Sequence, residues 1–159
     1  METEPRPDLI LGQPLVGIAH SPYSEPEFIL EGIGPARFRT HYLSLANGVV
    51  LNLFTAELFV TSLPADVMPG ETSGLAPLEV LGRRVVTVAR DDVYATIDDV
   101  YATIIVLEGG LFLKDNNDGC YGNPLLAGRL SECYTQEGLG EFLDYWSEQP
   151  MRLGIGQDV

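Results

Sequence analysis

Cysteine, histidine and basic side chains are all scarce in this chain. Cys120 and Cys133 are its only cysteines, and His20 and His41 its only histidines. Two thiols outside any Cys-x-x-Cys pattern and two imidazoles far apart in sequence give no zinc signature, and they exclude a disulfide-framework fold. Spacing alone leaves one Cys120–Cys133 bridge open. Lys and Arg number 9 against 23 Asp and Glu, a formal net charge of −14. A nucleic-acid partner, whose phosphates demand a basic face, is excluded on that balance. An anionic membrane surface would be repelled too. Long hydrophobic runs are also missing: none approaches the roughly 20 residues that span a bilayer. Met1-Glu2-Thr3-Glu4-Pro5-Arg6-Pro7 has neither the basic start nor the apolar stretch of a secretory signal. The expected location is cytoplasmic.

Signatures of chemistry are equally sparse. Gly-x-Ser-x-Gly, Gly-x-Gly-x-x-Gly and the P-loop pattern do not occur. Gly32-Ile33-Gly34 is followed by Pro35, so no helix opens there to cradle a phosphate. Lys114-Asp115-Asn116-Asn117-Asp118-Gly119 resembles a calcium loop in its centre. With Gly119 at the sixth position, however, the first and twelfth positions fall on Lys114 and Leu125, where acidic ligands belong. Cys120 as a nucleophile would need an imidazole from His20 or His41, and nothing in the spacing supplies it. The reading is therefore no catalytic residue, no metal ligand and no cofactor.

What is present is a β pattern. At 159 residues and 45% hydrophobic, the chain has the material for one domain with a sizeable core. Residues 38–45 alternate, with Phe38, Thr40, Tyr42 and Ser44 on one face and Arg39, His41, Leu43 and Leu45 on the other. Asn47-Gly48 then separates this run from Val49-Val50-Leu51-Asn52-Leu53-Phe54, the signal of a type I′ hairpin. Leu58-Phe59-Val60-Thr61 extends the meander. Ile104-Ile105-Val106-Leu107 and Leu111-Phe112-Leu113 form a second hairpin around Gly109-Gly110. Upstream, Leu11-Gly12-Gln13-Pro14-Leu15-Val16-Gly17-Ile18-Ala19 parallels Leu81-Gly82-Arg83-Arg84-Val85-Val86-Thr87-Val88-Ala89 at equal offsets. Each half reads as a Leu-Gly lead-in, a strand, a variable connection and a glycine-turned hairpin, which suggests a diverged internal duplication.

A second, younger repeat lies inside the later half. Asp91-Asp92-Val93-Tyr94-Ala95-Thr96-Ile97 is followed at once by an identical copy, Asp98-Asp99-Val100-Tyr101-Ala102-Thr103-Ile104. As helix, Val93, Ile97, Val100 and Ile104 would form a stripe. Val, Thr, Ile and Tyr nevertheless favour strands, and an odd-numbered insertion within a strand reverses every side chain beyond it. One copy is therefore expected to loop out, and since the copies are identical, either could fill the strand.

The fold class expected is mainly β (α+β): two related antiparallel meander halves, about 9–63 and 79–113, forming one sandwich or partly open barrel. Residues 64–77, rich in turn formers, read as the linker of a single domain spanning 1–159. A C-terminal loop and helix are expected over 114–150, because Leu139, Phe142, Leu143 and Trp146 recur at helical spacing. The function expected is a non-catalytic acidic protein-binding module, such as an immunity- or inhibitor-type protein that neutralises a basic partner. Its contact residues are expected in the polar loop: Asp115, Asn116, Asn117, Asp118, Tyr121 and Asn123. Two other classes compete. One is a small enzyme or ligand-binding β-barrel with a pocket lined from distant positions. The other is a structural subunit that self-associates through sheet edges or apolar patches.

Overall fold

In the computed structural model, residues 3–22, 29–30, 34–35, 40–54, 57–91, 102–115, 124–134, 142–151 and 153 are described. The elements in chain order are α1 (Pro7–Ile10), β1 (Leu15–His20), β2 (Ile29–Leu30), β3 (Gly34–Pro35), β4 (His41–Leu45), β5 (Val50–Phe54), β6 (Glu57–Thr61), β7 (Met68–Pro69) and β8 (Thr72–Gly74). They continue with α2 (Pro77–Val80), β9 (Val85–Asp91), β10 (Ala102–Leu107), β11 (Leu111–Lys114), β12 (Leu125–Arg129), α3 (Leu130–Cys133), β13 (Phe142–Asp144) and β14 (Pro150–Met151). One sheet has the order β6-β5-β4-β1-β7, the other β14-β13-β9-β10-β11-β12-β8, and β2-β3 form a small ribbon. Pairings among the described residues are antiparallel except β8 with β12. The fold is mainly β, with two antiparallel-rich sheets, a short helix near the C-terminus and no closed barrel.

The meanders β1-β4-β5-β6 and β9-β10-β11-β12 share their strand order. Both also carry a register shift at the second residue of their first strand, Val16 in one and Val86 in the other. Their lead-ins clasp each other reciprocally. The Gly12 N–H donates to the Val85 carbonyl at 2.7 Å, and the Gly82 N–H to the Leu15 carbonyl at 2.7 Å. The Leu15 N–H donates to Arg83 at 2.8 Å and the Val85 N–H to Gln13 at 2.9 Å. Proline at the first position of α1 and of α2 suits a helix start, where its missing N–H is not needed.

The main core lies between the sheets. Leu15, Leu43, Leu51, Leu53, Val88, Ile105, Leu113 and Leu125 meet there, all fully buried. In β4 the burial alternates as period two requires, with His41, Leu43 and Leu45 inside and Tyr42 and Ser44 half-buried. The second sheet is buried on both faces. On its far side Ile104, Val106, Phe112, Leu130, Tyr134 and Phe142 form another cluster. The unbroken run Ile104–Leu107 is the pattern of such a doubly covered strand. The segment read as a linker, 64–77, carries β7 to the first sheet and β8 to the second.

Two local expectations are corrected. The Asn47-Gly48 turn is not type I′, for Gly48 has φ +91° while the only non-glycine with positive φ among the described residues is Glu148. Residues 46–48 form a three-residue loop instead. Gly48 N donates to Leu45 O at 3.0 Å and Leu45 N to Val49 O at 2.8 Å, a type I turn closed by a left-handed glycine. The negative φ of Asn47 leaves its side-chain amide to reach the Leu9 carbonyl at 2.8 Å, tying the turn to α1. The second correction concerns residues 142–146. Phe142, Leu143 and Asp144 are strand β13, paired with Leu143 opposite Arg90 on the edge of β9, and Tyr145 and Trp146 occupy the following turn. An open sheet edge supplied hydrogen bonds that the helical spacing could not reveal. The short helix near the C-terminus is α3, earlier in the chain.

The tandem falls across the β9–β10 hairpin. Asp91 pairs with Ala102 and Arg90 with Thr103, so residues 92–101, which lie outside the described residues, join the two strands. The second copy runs directly into Ile105 and therefore supplies β10. Deleting residues 91–97 would put Asp98 in Asp91's place and leave Asp99-Val100-Tyr101 as a three-residue hairpin loop, a common length. No paired residue need move. Shortening the connection lowers the closure entropy by at most about 1 kcal/mol. The expected result is a folded variant whose Tm rises by about 2–4 °C. Absence of a cooperative unfolding transition in a calorimetric scan of the variant would show the extra copy to be integral.

Candidate functional site

A cavity of about 260 Å³ opens at one end of the core. Its walls are residues 4 and 5, residues 57–59 of β6, and Tyr145 and Trp146 from the turn after β13. Three segments distant in sequence are brought together by backbone pairing. Thr3 and Val60 exchange hydrogen bonds at 2.8 and 2.9 Å, which holds Glu4 and Pro5 alongside β6. The Tyr145 N–H continues the β13–β9 ladder by donating to Val88 O at 3.1 Å. The Asp144 carboxylate accepts from the N–H groups of Trp146 and Ser147, both at 2.9 Å, and shapes the turn.

Both aromatic side chains are pinned at their polar ends. The Trp146 indole N–H donates to the Pro5 carbonyl at 3.0 Å. The Tyr145 hydroxyl donates to Leu58 O and accepts from Leu58 N, each at 3.3 Å. The two rings meet edge to face, with centroids 5.5 Å apart and planes at 83°, so they form a corner. The Arg90 guanidinium lies 5.1 Å from the Tyr145 ring centroid. It is not part of the lining, whose only charged side chains among the described residues are Glu4 and Glu57.

Burial pushes the Tyr145 hydroxyl above its ordinary value of 10.0; the Leu58 hydrogen bond opposes this, Glu57 adds to it, Arg90 opposes it and Glu4 adds to it. The hydroxyl therefore stays protonated, and a donor to Leu58, through neutral and mildly alkaline pH. A folded-state value above the unfolded one makes a contribution to stability that is present below about pH 10 and lost as pH rises through the folded value.

A second polar cluster lies elsewhere between the sheets. His20 and His41 are direct cross-strand partners in β1 and β4, 3% and 1% exposed. The register shift at Val16 is what sets them opposite each other. His41 Nε2 lies 3.7 Å from an Asp115 carboxylate oxygen, the two side chains being 1% and 0% exposed. The His20 Nδ1 is 2.7 Å from the Ser21 carbonyl. Asp115 continues the inward alternation of Leu111 and Leu113 in β11. Among the described residues no group of three or more His, Cys, Asp or Glu side chains is placed to hold a metal ion.

Of the loop residues expected to make contacts, Asp115 is buried against His41 and not in the cavity wall. Asn116, Asn117, Asp118, Tyr121 and Asn123 lie outside the described residues, as does Cys120. Cys133 is exposed on α3. Sequence reasoning missed Glu4, Glu57 and Tyr145 as a group, and took Trp146 for a helix face over the core. The usable signal was a pair of adjacent aromatics next to Asp144 and Ser147, a turn-forming combination that is poor in a helix interior.

No known protein family, no curated protein and no solved structure matches the chain. No helix among the described residues is long and apolar enough to cross a membrane. The site is therefore read from its own chemistry.

Proposed function

We propose that this chain is a non-catalytic acidic protein-binding module that neutralises a basic partner. The observation that carries the reading is the cavity whose charged lining consists of two carboxylates, Glu4 and Glu57, beside two pinned aromatic rings. Carboxylates next to half-buried aromatic surface suit a cationic side chain better than an anion or a neutral sugar. The net charge of −14 adds a long-range field that speeds encounter with a basic protein.

Capture of partners on the immobilised chain in low salt, followed by association kinetics, tests the proposal. A basic protein is expected to bind in stoichiometric amount. Its on-rate should fall at least about tenfold as salt is raised from about 0.05 to about 0.5 M, because the Debye length shrinks severalfold. Recovery of no basic partner at low salt, or an on-rate indifferent to salt, overturns the reading.

A further inference from the structure

We propose that the Glu4–Glu57–Tyr145–Trp146 cavity is the receptor for an aliphatic ammonium group, the chemistry of a lysine side chain on the partner. The inference deepens the binding-module reading and rests on it for the identity of the partner, but the cavity's chemistry is testable alone.

The cavity divides into an apolar and a charged part. Leu58 is buried, Phe59, Pro5, Tyr145 and Trp146 are half-buried, and Glu4 and Glu57 are exposed. A lysine side chain divides the same way, with a methylene stem that packs on apolar surface and a compact, strongly hydrated charge at its tip. A volume of about 260 Å³ is room for one such stem and head, not for a folded element. The two rings of the lining stand at 83° to each other, and an ammonium gains from a ring face only when it sits within about 6 Å of the centroid. Both polar ring ends are already bonded to backbone, at Pro5 and Leu58. The walls are therefore set before a ligand arrives and little ordering cost remains. Arg90 opposes a second cation on Tyr145, but it stands outside the lining as one positive charge against two carboxylates.

The test uses the full chain and n-butylammonium chloride, with total ionic strength held constant by sodium chloride. Trp146 is the only tryptophan, so its fluorescence reports this cavity. A saturable change with butylammonium, and none with neutral n-butanol at equal concentration, is the expected result. Glu4→Gln and Glu57→Gln should each weaken binding about threefold, the scale of an exposed ion pair, and more when combined. Both side chains are exposed, so the variants keep the fold; near-UV circular dichroism verifies this. The proposal is overturned by an unsaturable response, by an equal response to n-butanol, or by folded glutamine variants that bind as tightly as the parent. If butylammonium binds but no basic protein is captured, the cavity assignment stands and the partner reading falls. If a basic protein is captured with unchanged affinity by the Glu4→Gln/Glu57→Gln chain, the partner reading stands and this assignment falls.

Discussion

Asp115→Ala is expected to cost about 3 kcal/mol of stability or more, measured by urea denaturation, while Asp115→Leu combined with His41→Leu recovers most of the loss. The carboxylate has a 0% exposed side chain and the imidazole a 1% exposed one, 3.7 Å apart. Removing one member of a buried ionisable pair takes a compensating charge from the other in a low-dielectric core and typically costs 3–5 kcal/mol. Removing both in favour of well-packed hydrophobes is often neutral or better, because the desolvation cost of both groups disappears. The surroundings here suit that exchange. His41 faces Leu53 across β4 and β5, and Leu43, Leu51 and Leu113 line the same core. A single-variant loss below about 1 kcal/mol would show that the pair does not act as a unit. A double variant no more stable than either single one would show that each residue is held chiefly by other neighbours.

The same pair shows what sequence pattern carries and what it does not. Alternation assigned His41 to the face of Leu43 and Leu45, and the structure buries all three. Its encounter with His20 depends on the irregularity at Val16. Leu15 pairs with Leu45, but from Gly17 onward the register moves by one residue, so that His20 meets His41. A bulge is a local backbone event with no side-chain signature at Val16. The three-residue loop at residues 46–48 is a parallel case: Asn47-Gly48 located the hairpin, whereas the turn observed accompanies a long-range bond from the Asn47 amide to the Leu9 carbonyl of α1. The cavity was the least legible. Glu4, Glu57 and Trp146 become neighbours through the Thr3–Val60 clamp and the β9–β13 ladder, and neither leaves a periodic trace. Apolar spacing at Phe142, Leu143 and Trp146 was real, but it reflects a two-residue inward–outward step followed by a turn.

Phe112→Ala should be among the most damaging single substitutions in the chain and should reach the cation cavity from a distance. Phe112 is 0% exposed on the far face of the second sheet. Its ring lies 5.5 Å from that of Tyr134, which in turn meets Phe142 edge to face at 5.1 Å. Directly across the ladder stands Gly128, where a Cβ would come within 2.9 Å of the Phe112 ring and 3.0 Å of the Cys133 Sγ; the ring and that sulfur fill the space a side chain would take. Truncation to alanine is expected to cost about 3–5 kcal/mol. Gly128→Val should be destabilising alone and milder in the Phe112→Ala background, with a coupling energy above about 1 kcal/mol in a double-mutant cycle. Additivity within about 0.5 kcal/mol would show that the two residues do not share that space. The consequence for function follows from connectivity. Phe142 opens β13, and Asp144 at its end shapes the turn that presents Tyr145 and Trp146. Loosening the aromatic chain frees β13 to open before the rest of the sheet does. Butylammonium affinity, read on Trp146, is therefore expected to fall in Phe112→Ala under conditions where the far-UV signal is still native, and an unchanged affinity there would separate the far-side cluster from the site.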